Sequence, residues 1–185
     1  AIDMKAKGQL KKDTLVVTVM SNIGLRIAAE ENGINLATTQ VGDRYVLEEM
    51  IKSDYSLGGE QSGHLVFLDY NTTGDGTMSS LVLASIVKAK GEALSSVASI
   101  MDQYPQVLVN VRVQNEYKNS YMEIKEIADR IEDIEKEMDG KGRVLIRPSG
   151  TEPLVRVMLE GKNEDHIYGL AKGLADLIDE KIGLK

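Results

Sequence analysis

The chain has 185 residues, enough for one large domain or two small ones, and its 42% apolar content can build real cores. Asp and Glu outnumber Lys and Arg by 29 to 22, and the net charge of −7 excludes a non-specific electrostatic grip on nucleic acid or on an anionic membrane. Cys is absent, which removes disulfides, thiolate zinc sites and cysteine nucleophiles, and no apolar run approaches the ~20 residues needed to span a bilayer.

Thr14 to Val19 is a β-branched run of the kind that forms a buried strand. Ser21-Asn22 then caps a helix that ends near Asn32-Gly33, and Ile34 to Thr39 reads as a second strand. Gly42-Asp43 opens a second helix whose Val46, Leu47, Met50 and Ile51 face the core at helical spacing. Leu57-Gly58-Gly59 breaks the pattern, and His64 to Asp69 resumes it as a strand. Asp75, at the end of a turn-rich stretch, is placed to cap a helix from about Thr77 to Ala89, which is apolar on most faces and so predicted to be well buried. This alternation predicts an α/β layer structure with a largely parallel or mixed sheet over residues 1–105, which we read as a three-layer α/β/α domain.

The texture changes at Gln103-Tyr104-Pro105-Gln106. Val107, Val109, Val111 and Val113 alternate with Leu108, Asn110 and Arg112, a half-buried strand. A helix from Tyr121 to Met138 carries Ile124, Ile127, Ala128, Ile131, Ile134 and Met138 on one stripe. Strands at Arg143–Ile146 and Leu154–Leu159 flank a loop, and a last helix presents Ile167, Leu170, Leu174 and Ile178 on one face. Residues 106–185 therefore read as a small α+β domain, with helices on one face of an antiparallel sheet.

Two loops carry chemistry. In Gly58-Gly59-Glu60-Gln61-Ser62-Gly63-His64, a carboxylate, an amide, a hydroxyl and an imidazole sit between glycines. An ionised Glu60 can accept from two vicinal hydroxyls with Ser62 beside it, which suits a polyhydroxylated ligand; a solvated hairpin loop has the same composition. In Arg147-Pro148-Ser149-Gly150-Thr151-Glu152-Pro153, Arg147 offers a planar fork for phosphate or carboxylate. Ser149 and Thr151 add hydroxyls, Gly150 lets backbone amides converge, and two prolines limit the loop's freedom. A tight turn with a surface arginine is the alternative there. Asp69 and Asp75 fit a turn and an N-cap better than a metal loop, and Gly140-Lys141-Gly142-Arg143 lacks the spacing of a nucleotide loop. His166 reads as a surface residue.

Taken together, GEQSGH at 59–64 and RPSGTEP at 147–153 resemble the sugar-reading and phosphate-clamping loops of the α-D-phosphohexomutases. The resemblance extends through TVMSN at 18–22, VGDRYV at 41–46 and NTTGDG at 71–76. GEQSGH with Gln in third place and VGDRYV are similar to the branch that works on glucosamine phosphates. The resemblance implies a cytoplasmic four-domain enzyme that interconverts glucosamine 6-phosphate and glucosamine 1-phosphate, a step toward amino-sugar nucleotides and bacterial cell-wall precursors. A phosphoserine in its first domain and a bisphosphorylated sugar intermediate carry the transfer, and its second domain holds Mg²⁺ in an Asp-rich loop.

No Ser-His-Asn-Pro loop and no Asp-Gly-Asp metal loop occurs in this chain. The resemblance therefore implies the C-terminal half of such an enzyme, inactive alone, with catalytic serine and metal site in N-terminal domains that are its partners, through which a homodimer is open. By motif match, Glu60 and Ser62 take sugar hydroxyls, while Arg147, Ser149, Gly150 and Thr151 hold the phosphate. His64 closes the sugar loop, orienting Glu60 or meeting the ligand, and Asp43 and Arg44 stand near the substrate. Two alternatives stay open: glucose or mannose phosphates as substrates, and a stand-alone sugar-phosphate binding module.

Overall fold

The run Thr14–Thr18 forms β1 of the computed structural model, which describes residues 1–184 and divides into two units, residues 1–103 and those from Tyr104 onward. In the first unit the sheet order is β2-β1-β3-β4, with β2 at Asn35–Thr39, β3 at Leu57–Gly59 and β4 at Leu65–Phe67. β1 runs parallel to both β2 and β3, and β4 returns antiparallel to β3, so the sheet is mixed. Being flanked on both sides and covered on both faces, β1 is buried along its whole length, as its β-branched composition requires.

α3 (Asp43–Ser53) covers one face, where Val46 and Met50 meet Val16 and Val66. α1 (Ile2–Ala6), α2 (Ile23–Glu31) and α4 (Gly76–Lys90) supply Ile2, Met4, Leu25, Met78 and Val82 to the other, against Leu15, Val17, Leu57 and Phe67. The unit is thus a three-layer α/β/α sandwich, with the short α5 (Leu94–Ala98) near its end. The caps act as their residue types dictate. Asn22 accepts from the Gly24 amide at 3.0 Å, and Asp75 accepts from the Met78 amide at 2.9 Å.

Several expectations are corrected here. Leu57-Gly58-Gly59 is a fully buried strand, not a break. A Cβ on Gly58 would lie 2.6 Å from Met50 Sδ and 2.7 Å from Val46 Cγ1, so glycine is what lets α3 seat directly on β3. His64, Leu68 and Asp69 lie outside β4, and Ile51 is 60% exposed because α3 touches the sheet only through Val46, Leu47 and Met50. α4 is apolar yet has no buried residue; only Met78 and Val82 reach the core, and a sheet whose β3 and β4 are three residues each offers it little surface.

In the second unit β5 (Gln106–Arg112), β7 (Leu154–Gly161) and β6 (Gly142–Pro148) form an antiparallel sheet in the order β5-β7-β6. α6 (Lys125–Met138) and α7 (Glu164–Ile182) bury Ile127, Ile134, Leu174 and Ile178 against Val107, Val111, Val155, Val157 and Leu159. Tyr121–Glu123 is a separate 3₁₀ turn; extended backbone at Ile124 interrupts the expected single helix. Arg147 and Pro148 belong to β6, which leaves a loop of residues 149–153. Among the described residues no helix is long and apolar enough to cross a membrane.

Candidate functional site

The turn between β3 and β4 is closed by its own backbone: the Glu60 amide donates to His64 O at 2.9 Å, and the Gly63 amide to Glu60 O at 3.0 Å. Residues 61–65 are exposed, while Glu60 is half-buried. One carboxylate oxygen of Glu60 accepts from the Gly42 amide at 2.8 Å. The other meets no hydrogen-bond donor among the described residues. Gly42 stands at the N-cap of α3 with φ 134°, a conformation that L side chains avoid. Ser62 Oγ and His64 Nδ1 are 3.2 Å apart, and the imidazole lies against Gly74.

Behind the turn is a cleft of about 330 Å³, lined by Leu15, Val17, Leu25, Glu60, Gln61 and Met101 among others. It sits at the carboxyl ends of the parallel strands β1 and β3, where ligands of open α/β sheets bind. A carboxylate held at one oxygen by a backbone amide, with the other oxygen open, can accept from a ligand hydroxyl without first being ordered.

Asp43 and Arg44 are not brought to this carboxylate. Asp43 Oδ1 accepts from the Arg44 amide at 2.8 Å, and Arg44 turns back along α3 to Glu48, Nε to Oε1 2.7 Å. That hydrogen bond raises the Arg44 pKa further above its ordinary value. The link between the VGDRYV segment and Glu60 is the Gly42 amide, a contact 18 residues apart that no local pattern reveals.

In the second unit the loop after β6 is held from three sides. The Ser149 amide donates to Leu154 O at 2.9 Å, the Glu152 amide donates to Ser149 Oγ at 3.3 Å, and Lys118 Nζ donates to Ser149 O at 2.7 Å. Tyr121 OH donates to Ile146 O at 3.1 Å, and burial pushes its phenol pKa up. Ser149 is 5% exposed, whereas Gly150 and Thr151 are open and Arg147 is half-buried. Arg147, Ser149, Gly150 and Thr151 are thus gathered at one end of the sheet. The fold adds Lys118, which sequence reasoning missed because it arrives from the loop after β5. Its only signal was a lone cation in an otherwise acidic and polar stretch.

Residues 1–104 match the model of the phosphoglucomutase/phosphomannomutase alpha/beta/alpha domain III, and residues 108–177 match that family's C-terminal domain. A phosphoglucosamine mutase of Clostridioides difficile (strain 630) is 67% identical over 182 residues, covering 98% of this chain and 41% of that protein. One from Clostridium botulinum (strain Kyoto / Type A2) is 59% identical over 180 residues, covering 97% of this chain and 40% of its own length. The chain thus spans about two fifths of the relatives it matches. Among solved structures, an Aspergillus fumigatus N-acetylphosphoglucosamine mutase in complex with GlcNAc-6P and magnesium aligns with TM-score 0.75 at 19% identity, over 95% of this chain and 44% of that one. At that identity the likeness shows the fold. With matches running through both units, the chain belongs to the phosphoglucomutase/phosphomannomutase family.

Proposed function

We propose that this chain is the substrate-recognition part of a phosphoglucosamine mutase, which interconverts glucosamine 6-phosphate and glucosamine 1-phosphate. The observation that carries the reading is Glu60, fixed at one oxygen by the Gly42 amide and open at the other beside a cleft at the strand ends. Relatives of that name at 59% and 67% identity support it.

In this reading the first unit reads the sugar: Glu60 and Ser62 bind its hydroxyls, with His64 setting the Ser62 hydroxyl and Asp43 and Arg44 on the neighbouring helix start. The second unit holds the phosphate that is not reacting, through Arg147 and the Ser149, Gly150 and Thr151 loop. A phosphoryl group passes from an enzyme serine to the free hydroxyl of the sugar monophosphate. The other phosphate of the resulting bisphosphate returns to that serine, which leaves the enzyme unchanged and the sugar isomerised. Both transfers demand positioning, which is the contribution of these two loops.

Neither the serine nor a metal site is assigned to this chain. Among the described residues no group of three His, Asp or Glu side chains is arranged to hold an ion. Asp69 pairs with Lys11, and Asp75 caps α4. Mg²⁺ therefore does not fit these residues, and we place it, with the phosphoryl donor, in the rest of the longer protein. Cytoplasmic amino-sugar supply for cell-wall precursors is the setting of such a reaction.

Side-by-side assays of the longer protein on glucosamine, glucose and mannose 6-phosphates test the proposal. The expected result is a kcat/KM for the glucosamine substrate at least tenfold above the others. Equal or reversed preference would sink the glucosamine assignment, and turnover by the 185-residue chain alone would sink the division of labour.

A further inference from the structure

Asn71-Thr72-Thr73-Gly74-Asp75-Gly76 forms a second turn beside the 59–64 turn. It is fastened at both ends. The Asn71 amide donates to Phe67 O at 3.0 Å and the Asp75 amide to Leu65 O at 3.4 Å, while the Asp75 carboxylate caps α4 through the Met78 amide. Between these anchors Gly74 is half-buried, although Thr72 and Thr73 are exposed. Gly63, at φ 98°, is glycine because its backbone is left-handed, but Gly74 has no positive φ and needs no such freedom. Its neighbour accounts for it instead. A Cβ on Gly74 would lie 3.1 Å from His64 Cδ2, 3.5 Å from His64 Cβ and 3.6 Å from His64 Cγ, whereas a Cβ on Gly76 would meet nothing within 4 Å. The imidazole so seated has Nδ1 3.2 Å from Ser62 Oγ, and its Nε2 meets no hydrogen-bond partner among the described residues.

We propose that Gly74 is a positioning residue for the 59–64 turn: its bare α-carbon is the seat that holds the His64 imidazole with Nδ1 on Ser62 and Nε2 free for a ligand. This rests on the reading that the 59–64 turn binds sugar hydroxyls, and it extends that site to a second turn that touches the ligand nowhere. The turn needs such a prop because residues 61–65 are exposed and their own backbone bonds do not fix a side chain. The two imidazole nitrogens are coupled: in the neutral ring one donates and the other accepts, so the bond between Nδ1 and Ser62 also sets what Nε2 offers. A side chain at 74 would push the ring off its seat, break that bond and leave both the Ser62 hydroxyl and Nε2 without a fixed direction. Ordering them would then fall to the binding step, which weakens affinity.

The chain has two histidines, so its imidazole NMR signals are readily told apart, and His166, beside Glu137 in the second unit, serves as an internal reference. In the 185-residue chain the proton on His64 Cδ2 should show a nuclear Overhauser contact to the Gly74 α-protons. Gly74→Ala should shift the His64 ring signals, Gly74→Val should shift them further, and His166 should not move. In the longer protein Gly74→Val should raise KM for the sugar phosphate about two- to tenfold, the worth of one neutral hydrogen bond, and change kcat less. In a His64→Ala background the same substitution should add nothing, because the ring it displaces is gone. An equal loss in both backgrounds would show that Gly74 supports the fold rather than His64 and would overturn the proposal, as would unmoved His64 signals in both Gly74 variants. Should Gly74→Val fail to fold, the milder Gly74→Ala carries the same comparison. A His64→Ala enzyme with wild-type KM would instead overturn the reading of His64 as part of the sugar site, whatever the Gly74 variants do to its signals.

Discussion

The Gly42 amide donates to a Glu60 carboxylate oxygen across 2.8 Å, tying the start of α3 to the turn after β3. Gly42 does this at φ 134°, and a Cβ there would also press to 3.2 Å on the Tyr45 ring. Gly42→Ala should therefore cost roughly 1–3 kcal/mol of stability through backbone strain. In the longer protein it should raise KM for sugar phosphates more than it lowers kcat, because Glu60 loses its tether. Chemical denaturation and steady-state kinetics read the two effects. An alanine variant with wild-type KM would remove Gly42 as the residue that positions Glu60.

Glu60 itself is tested by Glu60→Gln, which keeps an oxygen for the Gly42 amide and removes the charge that accepts strongly from ligand hydroxyls. Hydrogen bonds to charged groups contribute about 1.5–3 kcal/mol, so kcat/KM in the longer protein should fall by about tenfold or more while the melting temperature holds. Loss should be similar in both reaction directions, since the same hydroxyls are read in each. Unchanged kcat/KM would remove Glu60 from the site.

Lys118 is predicted to be a positioning residue. Its ammonium donates to Ser149 O at 2.7 Å and approaches Glu152 O at 3.4 Å, spanning the loop from outside. Lys118→Ala should leave β6 and β7 paired and speed hydrogen exchange at the Ser149 and Leu154 amides. Phosphate binding should weaken severalfold. Exchange at those amides matching the wild type would show that the loop holds its shape without Lys118.

Much of this was legible because local chemistry decided it. Asn22 and Asp75 cap the helices behind them, and Val107 and Val111 face inward by strand alternation. The second unit's helix stripes pack as their spacing dictates. What was hidden depends on partners distant in sequence. Gly58 and Gly59 read as a break because glycine lacks strand propensity, yet the close seat of Val46 and Met50 makes glycine necessary at 58. Arg147 reads as a loop residue beside proline, but strand β7 extends far enough to pair both. Asp43 and Arg44 drew attention as charged side chains, whereas the neighbouring backbone amide makes the contact.

Lys11 bridges Asp54 and Asp69, and its hydrogen bond holds the Asp54 carboxyl below the ordinary carboxylate pKa. A depressed folded-state pKa contributes stability that is present above the unfolded value and is lost as pH falls through the folded one. The first unit should therefore lose stability with acidification through the carboxylate range. Asp54→Asn should flatten part of that slope. All three side chains are substantially exposed, so the effect should shrink in high salt. Parallel acid profiles for the variant and the wild type at low salt would contradict the assignment.

α4 sets burial against capping. Leu81 is 65% exposed and Leu83 45%, so their apolar character contributes little to the fold of this chain. The helix is held at its start by the Asp75 carboxylate on the Met78 amide and at its end by left-handed Gly91, with Met78 and Val82 alone reaching the core. Leu81→Lys should change stability by no more than about 0.5 kcal/mol, as surface substitutions do. Asp75→Ala should cost about 1 kcal/mol, the usual worth of an N-cap. Denaturant midpoints for the two variants give the comparison directly. The reverse order, with Leu81→Lys the more damaging, would mean that the outer face of α4 is packed in solution and that the apolar pattern reports burial after all.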